Sequence, residues 1–281
     1  MPSIDQILDA VAESRHAHVP SSKLYQLIKG LVRPEFEKAF SSPGGEAQPF
    51  WRFGTLSLPY TKMGAIDSID LFGLDELIIF AFYHANRSRY RRAIDVGGNL
   101  GLHSFVLSRC GLQVKTFEPD PWHFGLLSKN MAANGATTVT PFQAAVSVQE
   151  GEAQFVRVLG NTTGSHLAGA KDSYGEKEFF TVKTEAIAPL LEWADFAKID
   201  AEGHEKDLLL AATPAIMAKT DIMVEVGSTE NAAAIFAHFK AMGVNMFAQK
   251  IGWQPAASPA DLPISHRDGS LFISAKTTMP W

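Results

Sequence analysis

The chain has 281 residues, of which 46% are apolar, 20% charged and 10% aromatic, with a formal net charge of −5. This composition is typical of a folded globular protein and argues against disorder or a fibrous repeat. The acidic balance disfavours a protein held to nucleic acid or anionic lipid by its overall charge. The single cysteine, Cys110, excludes an internal disulfide and a thiolate zinc cluster.

The N-terminal region is predicted to be helical. Apolar residues recur at helical spacing from Ile4 to Val11, and Ser22 can cap a second helix over 23–31. We therefore expect a helical cap segment over 1–60, followed by a larger domain over 61–281 that begins with an apolar helix.

Targeting signals are not evident in the sequence. The first residues lack the basic start and apolar core of a secretion signal. No run approaches the roughly 20 apolar residues that a membrane span requires. These observations predict a cytoplasmic protein without a membrane anchor.

Strands and helices are predicted to alternate after residue 91. The predicted strands are 92–96, 113–117, 138–143, 196–200 and 222–226, and the predicted helices are 100–110, 121–134 and 205–212. Such alternation predicts a parallel sheet with helices on both faces, which binds ligands at the carboxyl ends of its strands. A polar residue lies at that end of every strand, namely Asp95, Glu118, Gln143, Asp200 and Glu225.

A glycine-rich turn follows the first of these strands. It contains Asp95, Gly97, Asn99 and Gly101, and glycines here allow backbone amides to approach a ligand closely. A dinucleotide fingerprint needs glycines at its first, third and sixth places. Counted from Gly97, the third place is Asn99 and the sixth is Leu102, which excludes that fingerprint. The spacing suits a ligand whose amino-acid end lies beside the turn, although the segment could also be only a turn.

Glu118 lies at the end of the next strand, where a carboxylate can accept hydrogen bonds from both hydroxyls of a ribose. Together, the acidic residues that end the first two strands indicate a nucleoside with an amino-acid tail. S-Adenosylmethionine fits this description. The alternative is that Glu118 only caps the following helix.

A second informative stretch runs from Phe196 to Glu205. Lys198 and Asp200 alternate along a strand, so both point to one face, and a buried charge there must be paired or functional. Glu202 and His204 follow at the turn into a helix, where the imidazole resists protonation and can serve as a general base. The alternatives are a structural ion pair between Asp200 and Lys198 and a simple helix-capping role for His204. Glu205 is expected to brace the helix.

The loop over 160–177 interrupts the alternation. It is flanked by an additional β pair, predicted over 153–158 and 179–182, and it is rich in glycine. A long loop at this position is functional or disordered, and we favour the functional reading because it would lie over the sheet edge. His166 and Tyr174 are its candidate functional residues.

Several stretches, in this order and spacing, resemble the FkbM-family methyltransferases between about residues 92 and 227. They are Ile94-Asp-Val-Gly-Gly-Asn-Leu-Gly101, Phe117-Glu-Pro-Asp-Pro121, Lys129-Asn130 with Asn134-Gly135, Lys198-Ile-Asp-Ala-Glu-Gly-His-Glu205, and Val224-Glu-Val226. Gly98 stands where that family usually has alanine, which we expect to add backbone freedom without removing a contact.

The resemblance implies an α/β fold with a Rossmann-like methyltransferase core, that is, a mostly parallel seven-stranded sheet with helices on both faces and an N-terminal helical extension. It also implies S-adenosylmethionine as the donor and, usually, methylation of a hydroxyl oxygen. The acceptor would be a sugar, a polyketide or another small molecule or glycan. The cap segment 1–60 and the loop 160–177 would cover that acceptor.

The resemblance also assigns roles to individual residues. The methionine end of the donor would lie against the glycine turn, the ribose on Glu118, and the adenine edge at Gln143 and Ala144. Asp200 and Glu202 would lie near the sulfonium and the acceptor, with His204 as a further catalytic candidate. The residues assigned to the donor are therefore Asp95, Gly97, Gly98, Asn99, Gly101, Glu118, Gln143, Ala144 and Asp200.

Two other functions remain open at this point. An RNA or nucleotide methyltransferase could use the basic cluster Arg87, Arg89, Arg91 and Arg92, although the net charge and the absence of an Asn/Asp-Pro-Pro-aromatic signature disfavour it. A non-catalytic module that only binds the donor is the third reading. No pattern in the sequence demands a metal.

Overall fold

A computed structural model describes residues 2–173 and 175–281 of the chain. Its helices are α1 (Ile4–Glu13), α2 (Lys23–Phe40), α3 (Leu74–Ala85), α4 (Leu102–Arg109), α5 (Pro121–Ala133), α6 (Ile187–Trp193), α7 (Glu205–Leu210), α8 (Pro214–Met217) and α9 (Thr229–Ala241). Its strands are β1 (Gln48–Pro49), β2 (Thr55–Leu56), β3 (Arg92–Val96), β4 (Gln113–Phe117), β5 (Val139–Phe142), β6 (Ala145–Ser147), β7 (Gly151–Val158), β8 (His166–Leu167), β9 (Lys177–Ala186), β10 (Phe196–Ile199), β11 (Asp221–Val224), β12 (Asn245–Ala248), β13 (Gln254–Pro255) and β14 (Leu271–Ser274).

The main sheet has the strand order β13-β12-β14-β11-β10-β3-β4-β5. Strands β5, β4, β3, β10 and β11 are parallel, whereas β14 is antiparallel to both β11 and β12. The chain order reverses between β3 and β10, and this reversal opens the crevice in which such sheets bind ligands. The predicted Rossmann-like α/β fold is thus confirmed. The expected seven strands become eight because the two-residue strand β13 pairs with β12 at one edge.

Helices cover both faces of the main sheet because its strands are apolar on both sides. Ala93 and Phe196 point to the face covered by α1 to α5, and Ile94 and Ala197 point to the face covered by α6 to α9. Each fully buried large apolar side chain contributes about 1.5–3 kcal/mol. None of the helices in the described residues is long and apolar enough to cross a membrane.

The N-terminal segment packs onto the first face of the sheet. Helix α2 continues past the predicted end at residue 31, because Val32, Phe36 and Phe40 prolong its buried stripe. The rings of Phe36 and Phe72 stack with their centroids 4.5 Å apart. None of residues 1–60 lines either of the two cavities described below, and the expectation that they cover the acceptor stays a prediction. The division into domains at residue 60 stays a prediction.

A second, four-stranded sheet with the order β6-β9-β7-β8 stands beside the carboxyl ends of the main strands. The pair formed by β7 and β9 confirms the additional β hairpin expected from the sequence. Arg157 on β7 binds Asp120, the capping residue of α5, through Nε at 2.6 Å and Nη2 at 2.7 Å. Because Asp120 is 1% exposed, this bidentate ion pair fixes the second sheet against the main one.

Candidate active site

A cleft lies at the carboxyl ends of the central strands and contains about 960 Å³ of empty space, part of it open to solvent. We call it the main cleft. Five carboxylates line it, namely Glu76, Glu118, Asp200, Glu202 and Glu225. Its lining within the described chain includes histidines but no lysine or arginine. The main cleft therefore favours a ligand that carries positive charge.

The glycine turn forms one wall of the main cleft. Gly97 has φ +80°, and a Cβ atom placed on it would lie 2.0 Å from the carbonyl oxygen of Asp200. Only glycine allows the loops that follow β3 and β10 to approach so closely. Asn99, with φ 50°, presents its backbone N–H to the Oε2 atom of Glu118 at 2.8 Å.

Glu118 is 7% exposed and is fixed by two backbone donors. Its Oε2 accepts from Asn99, and its Oε1 accepts from the backbone N–H of Asp120 at 2.9 Å. Burial raises the pKa of Glu118 to about 8, although both N–H donors oppose that rise. The remaining lone pairs of the carboxylate can accept bonds from a ligand in the main cleft.

His123 is a residue of the main cleft that the sequence reasoning missed. Its Nδ1 lies 2.8 Å from Oδ1 of Asn99, and its Nε2 lies 2.9 Å from Oγ1 of Thr162. Burial lowers its pKa to about 4, so the ring is neutral at pH 7. A neutral ring protonated at Nδ1 satisfies both contacts, with the Thr162 hydroxyl as the donor to Nε2. His123 thereby joins the glycine turn to the loop above it.

Carboxylates crowd the opposite wall. Lys198 is 4% exposed, and its Nζ lies 3.2 Å from Oδ2 of Asp200, so the structural ion pair considered above is present. Asp200 also lines the main cleft, where it faces Glu225. Burial, followed by the charges of Asp200 and Glu76, raises the pKa of Glu225 well above its usual range.

Glu202 belongs to the same wall and lies at a strained turn, with φ 51°. Burial and the neighbouring charge of Asp200 raise its pKa to about 7, while the ion pair with Lys171 opposes the rise. A carboxyl group with a pKa near neutrality can both accept and release a proton at physiological pH. This arrangement suits proton transfer.

His204 lies at the edge of this wall, directly before α7. Its Nε2 lies 3.3 Å from Oγ of Ser147, and its Nδ1 lies 3.2 Å from Oδ2 of Asp207. Burial lowers its pKa, which keeps the ring neutral. Glu205 braces the preceding turn, as expected, by accepting the N–H groups of Ala201 at 3.0 Å and Gly203 at 2.9 Å.

Asp95 lies beneath the main cleft rather than in its wall. Its side chain is fully buried on the face covered by α4, where Oδ2 accepts from the Ser104 hydroxyl at 2.6 Å. Its Oδ1 atom has no hydrogen-bond partner among the described residues. The odd-numbered side chains of β3 point to that face, so Asp95 lies on the same side of the sheet as Lys198. The charge of Asp95 contributes to the raised pKa of Lys198.

Four further residues assigned to the donor lie outside the lining of the main cleft: Gly98, Gly101, Gln143 and Ala144. Strand β5 ends at Phe142, and Gln143 turns to solvent in the bend that follows. The wall is formed instead by Ala145 and Val146 at the start of β6.

Gly98 packs closely against two neighbouring side chains. A Cβ atom at this position would lie 2.3 Å from Oγ1 of Thr116 and 2.7 Å from a methyl group of Leu127. Glycine here permits close packing of the turn on β4, so alanine does not fit without a shift of its neighbours.

The loop 160–177 lies over the main cleft as expected. Thr162, Thr163, Ser165 and His166 line the cleft. The backbone N–H of Thr162 donates to the Met63 carbonyl at 3.1 Å, which ties this loop to the segment before α3. Tyr174, the other candidate of this loop, lies outside the described residues. The arginine cluster is distant, because Arg92 begins β3 at the opposite end of the sheet.

Comparisons with known proteins give one curated relative. No protein-family model matches the chain. The hexuronic acid methyltransferase AglP of Haloferax volcanii is 29% identical over 137 residues, which are 47% of this chain and 54% of the relative. The chain therefore matches only about half the length of this relative, and membership of the FkbM family stays a prediction.

Two solved structures resemble the fold more distantly. The precorrin-6y C5,15-methyltransferase of Geobacter metallireducens has a TM-score of 0.40 and 12% identity, over 70% of this chain and 86% of that one. The O-methyltransferase of Bacillus cereus, solved in complex with SAH, has a TM-score of 0.37 and 13% identity, over 69% of this chain and 79% of that one.

Proposed function

We propose that this chain is an S-adenosylmethionine-dependent methyltransferase that methylates a hydroxyl oxygen on a sugar or another small acceptor. The observation that carries the proposal is the meeting of the glycine turn and Glu118 in one cleft, joined by the 2.8 Å bond from Asn99. The similarity to a hexuronic acid methyltransferase over 137 residues supports both the transferred group and a sugar acceptor.

The residues of the main cleft fit the donor. Glu118 would accept the ribose hydroxyls, and the turn at Gly97 and Asn99 would lie along the methionine portion. Apolar Val146 and Leu167 would contact the adenine. The lining has five acidic side chains and, within the described chain, no lysine or arginine, which suits the positive charge of a sulfonium. The donor assignments for Asp95, Gly98, Gly101, Gln143 and Ala144 are not part of this proposal.

S-Adenosylmethionine, when bound, supplies a methyl group on a positively charged sulfur, so that the acceptor oxygen takes the methyl carbon while the bonding pair stays on sulfur. Glu202 would take the hydroxyl proton, because a pKa of about 7 allows it to act as a base near neutrality. Asp200 would orient the acceptor, and the buried Lys198 holds Asp200 in place. Positioning of this kind supplies roughly 7–11 kcal/mol of the barrier reduction.

Donor binding is the first test. Calorimetric titration with S-adenosylhomocysteine should give saturable binding, and saturating S-adenosylmethionine should raise the melting temperature. An unchanged melting temperature at saturating donor would refute the proposal.

Transfer is the second test and uses donor labelled in the methyl group with a panel of neutral, amino and acidic glycosides. Glu202→Gln should lower kcat by about 10²-fold, with the affinity for S-adenosylhomocysteine retained. Glu150→Gln removes a carboxylate from an exposed turn and serves as the matched control. Donor binding without transfer to any acceptor would favour the non-catalytic alternative.

A further inference from the structure

A second cavity borders the main cleft, and we call it the second chamber. It contains about 1730 Å³ of empty space, part of it open to solvent. Asp200, Glu202 and Glu225 line both cavities, so the two share one wall. A molecule in the second chamber would reach the same carboxylates as a ligand in the main cleft.

The remaining walls of the second chamber come from separate parts of the chain. Gly203 packs against the loop, and a Cβ atom on it would lie 3.0 Å from the carbonyl oxygen of Ala170. Ser228 caps α9 and receives the backbone N–H of Asn231 at 3.1 Å. The side-chain amide of Asn231 lines the chamber and makes no hydrogen bond within the described residues. This amide is available to a ligand as both donor and acceptor.

Acidic groups outnumber basic ones in the lining of the second chamber. Six carboxylates contribute to it, namely Asp200, Glu202, Glu205, Asp207, Glu225 and Glu230, against the two lysines Lys171 and Lys206 and the imidazole of His266. Both lysines are engaged, since Lys171 pairs with Glu202 and Lys206 lies 3.6 Å from Glu230. Both lysines therefore already have a carboxylate neighbour, and the lining keeps an excess of acidic groups.

We infer that the second chamber receives the methyl acceptor, and that the part of the acceptor that enters it is a polyhydroxylated ring without negative charge, neutral or amino-bearing. This inference rests on the proposed function and specifies its substrate class. It departs from the acidic sugar named for the Haloferax volcanii relative. Carboxyl groups exchange hydrogen bonds with ring hydroxyls, whereas an ionised uronate would enter a lining in which six acidic side chains outnumber two lysines.

The wall that the two cavities share explains how an acceptor in the second chamber would reach the proposed base. An acceptor in the second chamber would present a hydroxyl to Glu202 where the two cavities meet, so that its oxygen could reach the methyl group of a donor in the main cleft. The exocyclic amino group of an amino sugar would donate to Glu225, whose carboxyl group receives no hydrogen bond within the described chain. The two cavities would therefore hold donor and acceptor next to each other at one cluster of acidic groups.

The test uses the full chain saturated with S-adenosylhomocysteine and three probes that share one ring: the methyl glycosides of glucose, glucosamine and glucuronic acid. Calorimetry and saturation-transfer NMR would measure the Kd of each probe at low salt and in about 0.5 M salt. The higher salt concentration screens the interactions between exposed charges. We expect the glucuronide to bind about tenfold more weakly than the glucosaminide at low salt, with the ratio falling in high salt.

Two variants test whether the probes occupy the second chamber. Glu230→Lys, at an exposed rim position, should reduce the preference for the glucosaminide about threefold or more, whereas Glu13→Lys makes the same charge change on α1 and should not. Asn231→Leu should weaken all three probes without changing the affinity for S-adenosylhomocysteine. Thr229→Val, on the same turn of α9 but outside the lining, is its control.

Each outcome separates this inference from the proposed function. Failure of S-adenosylhomocysteine to bind would overturn the proposed function itself. Donor binding together with equal or tighter binding of the glucuronide would overturn only the inference about charge. Donor binding with no saturable binding of any probe, or with probe affinities that Asn231→Leu leaves unchanged, would overturn the assignment of the second chamber to the acceptor.

Discussion

Two walls of the main cleft use carboxylates in opposite ways. In the turn wall, formed by Gly97, Asn99 and Glu118, the carboxylate is held by two backbone N–H groups at 2.8 and 2.9 Å. In the acidic wall, formed by Asp200, Glu202 and Glu225, the carboxylates crowd one another, and one buried lysine offsets part of their charge. A carboxylate fixed by the backbone is suited to binding, whereas crowded carboxylates with raised pKa values are suited to moving a proton.

The largest expected effect comes from removing the cation behind the acidic wall. Lys198→Met should lower the free energy of unfolding by about 3–5 kcal/mol, because it leaves buried carboxylates without their compensating charge. Urea denaturation would measure this loss. Lys129→Met, which removes an exposed lysine from α5, is the matched control. A loss below about 1 kcal/mol would mean that the acidic wall does not depend on Lys198.

A substitution in the turn wall should instead change the affinity of the chain for the donor. Glu118→Ala should weaken the binding of S-adenosylhomocysteine by about 1–3 kcal/mol, because the hydrogen bonds to the ribose hydroxyls are lost and two N–H groups of the turn lose their acceptor. Isothermal titration calorimetry measures this change, with Glu150→Ala as the control. Unchanged affinity would remove Glu118 from the ribose site.

Substitution of His204 tests whether the acidic wall alone accepts the proton of the acceptor hydroxyl. Because Glu202 is the proposed base, His204→Ala should lower kcat by only about tenfold and leave donor affinity intact. His16→Ala removes an exposed imidazole far from the cleft and is its control. A decrease of 10²-fold or more would make His204 the base in place of Glu202.

The pH dependence of stability should show the smallest effect and should arise in the turn wall. The pKa of Glu118 is about 8 in the folded chain and lower in the unfolded chain, so its protonated form stabilises the fold and this contribution is lost as pH rises through 8. Buried histidines such as His123, whose pKa is lowered to about 4, have the opposite effect on stability. Their neutral form stabilises the fold, and this contribution is lost as pH falls below 6.5.

We therefore expect the free energy of unfolding of the donor-free chain to fall by about 1 kcal/mol between pH 7 and pH 8.5. Urea titrations across this range would measure the change. Glu118→Gln cannot ionise and should make the decrease smaller, while Glu202 and Glu225, whose pKa values are also raised, account for the remainder. A decrease as large in this variant as in the unsubstituted chain would contradict the assignment.

The sequence predicted the strands and their polar ends well, because the periodicity of apolar residues and the glycine stops are local signals. β3 and β4 have the predicted bounds, and Glu118, Asp200, Glu202 and His204 all reach the main cleft. Their shared position follows from parallel strands that end at one edge. The resemblance over residues 92–227 added methylation of a hydroxyl oxygen to this reading.

The sequence did not predict contacts between distant segments. His123 joins Asn99 to Thr162 across 24 and 39 positions, and no local pattern signals such a pairing. The predicted adenine residues Gln143 and Ala144 lie outside the lining of the main cleft, because β5 ends at Phe142 and Gln143 lies in an exposed bend before β6 begins. Their assignment to the adenine stays a prediction.

What the sequence determined by itself is the order of the elements and the chemistry at the end of each strand, because hydrophobic periodicity and turn residues act over a few positions. The tertiary structure decided which of those ends face a cavity, which carboxylates are crowded and which are fixed. It also decided that residues 1–60 pack on one face of the sheet. These outcomes depend on how far each side chain is buried and which charges surround it, and burial is a property of the packed chain as a whole.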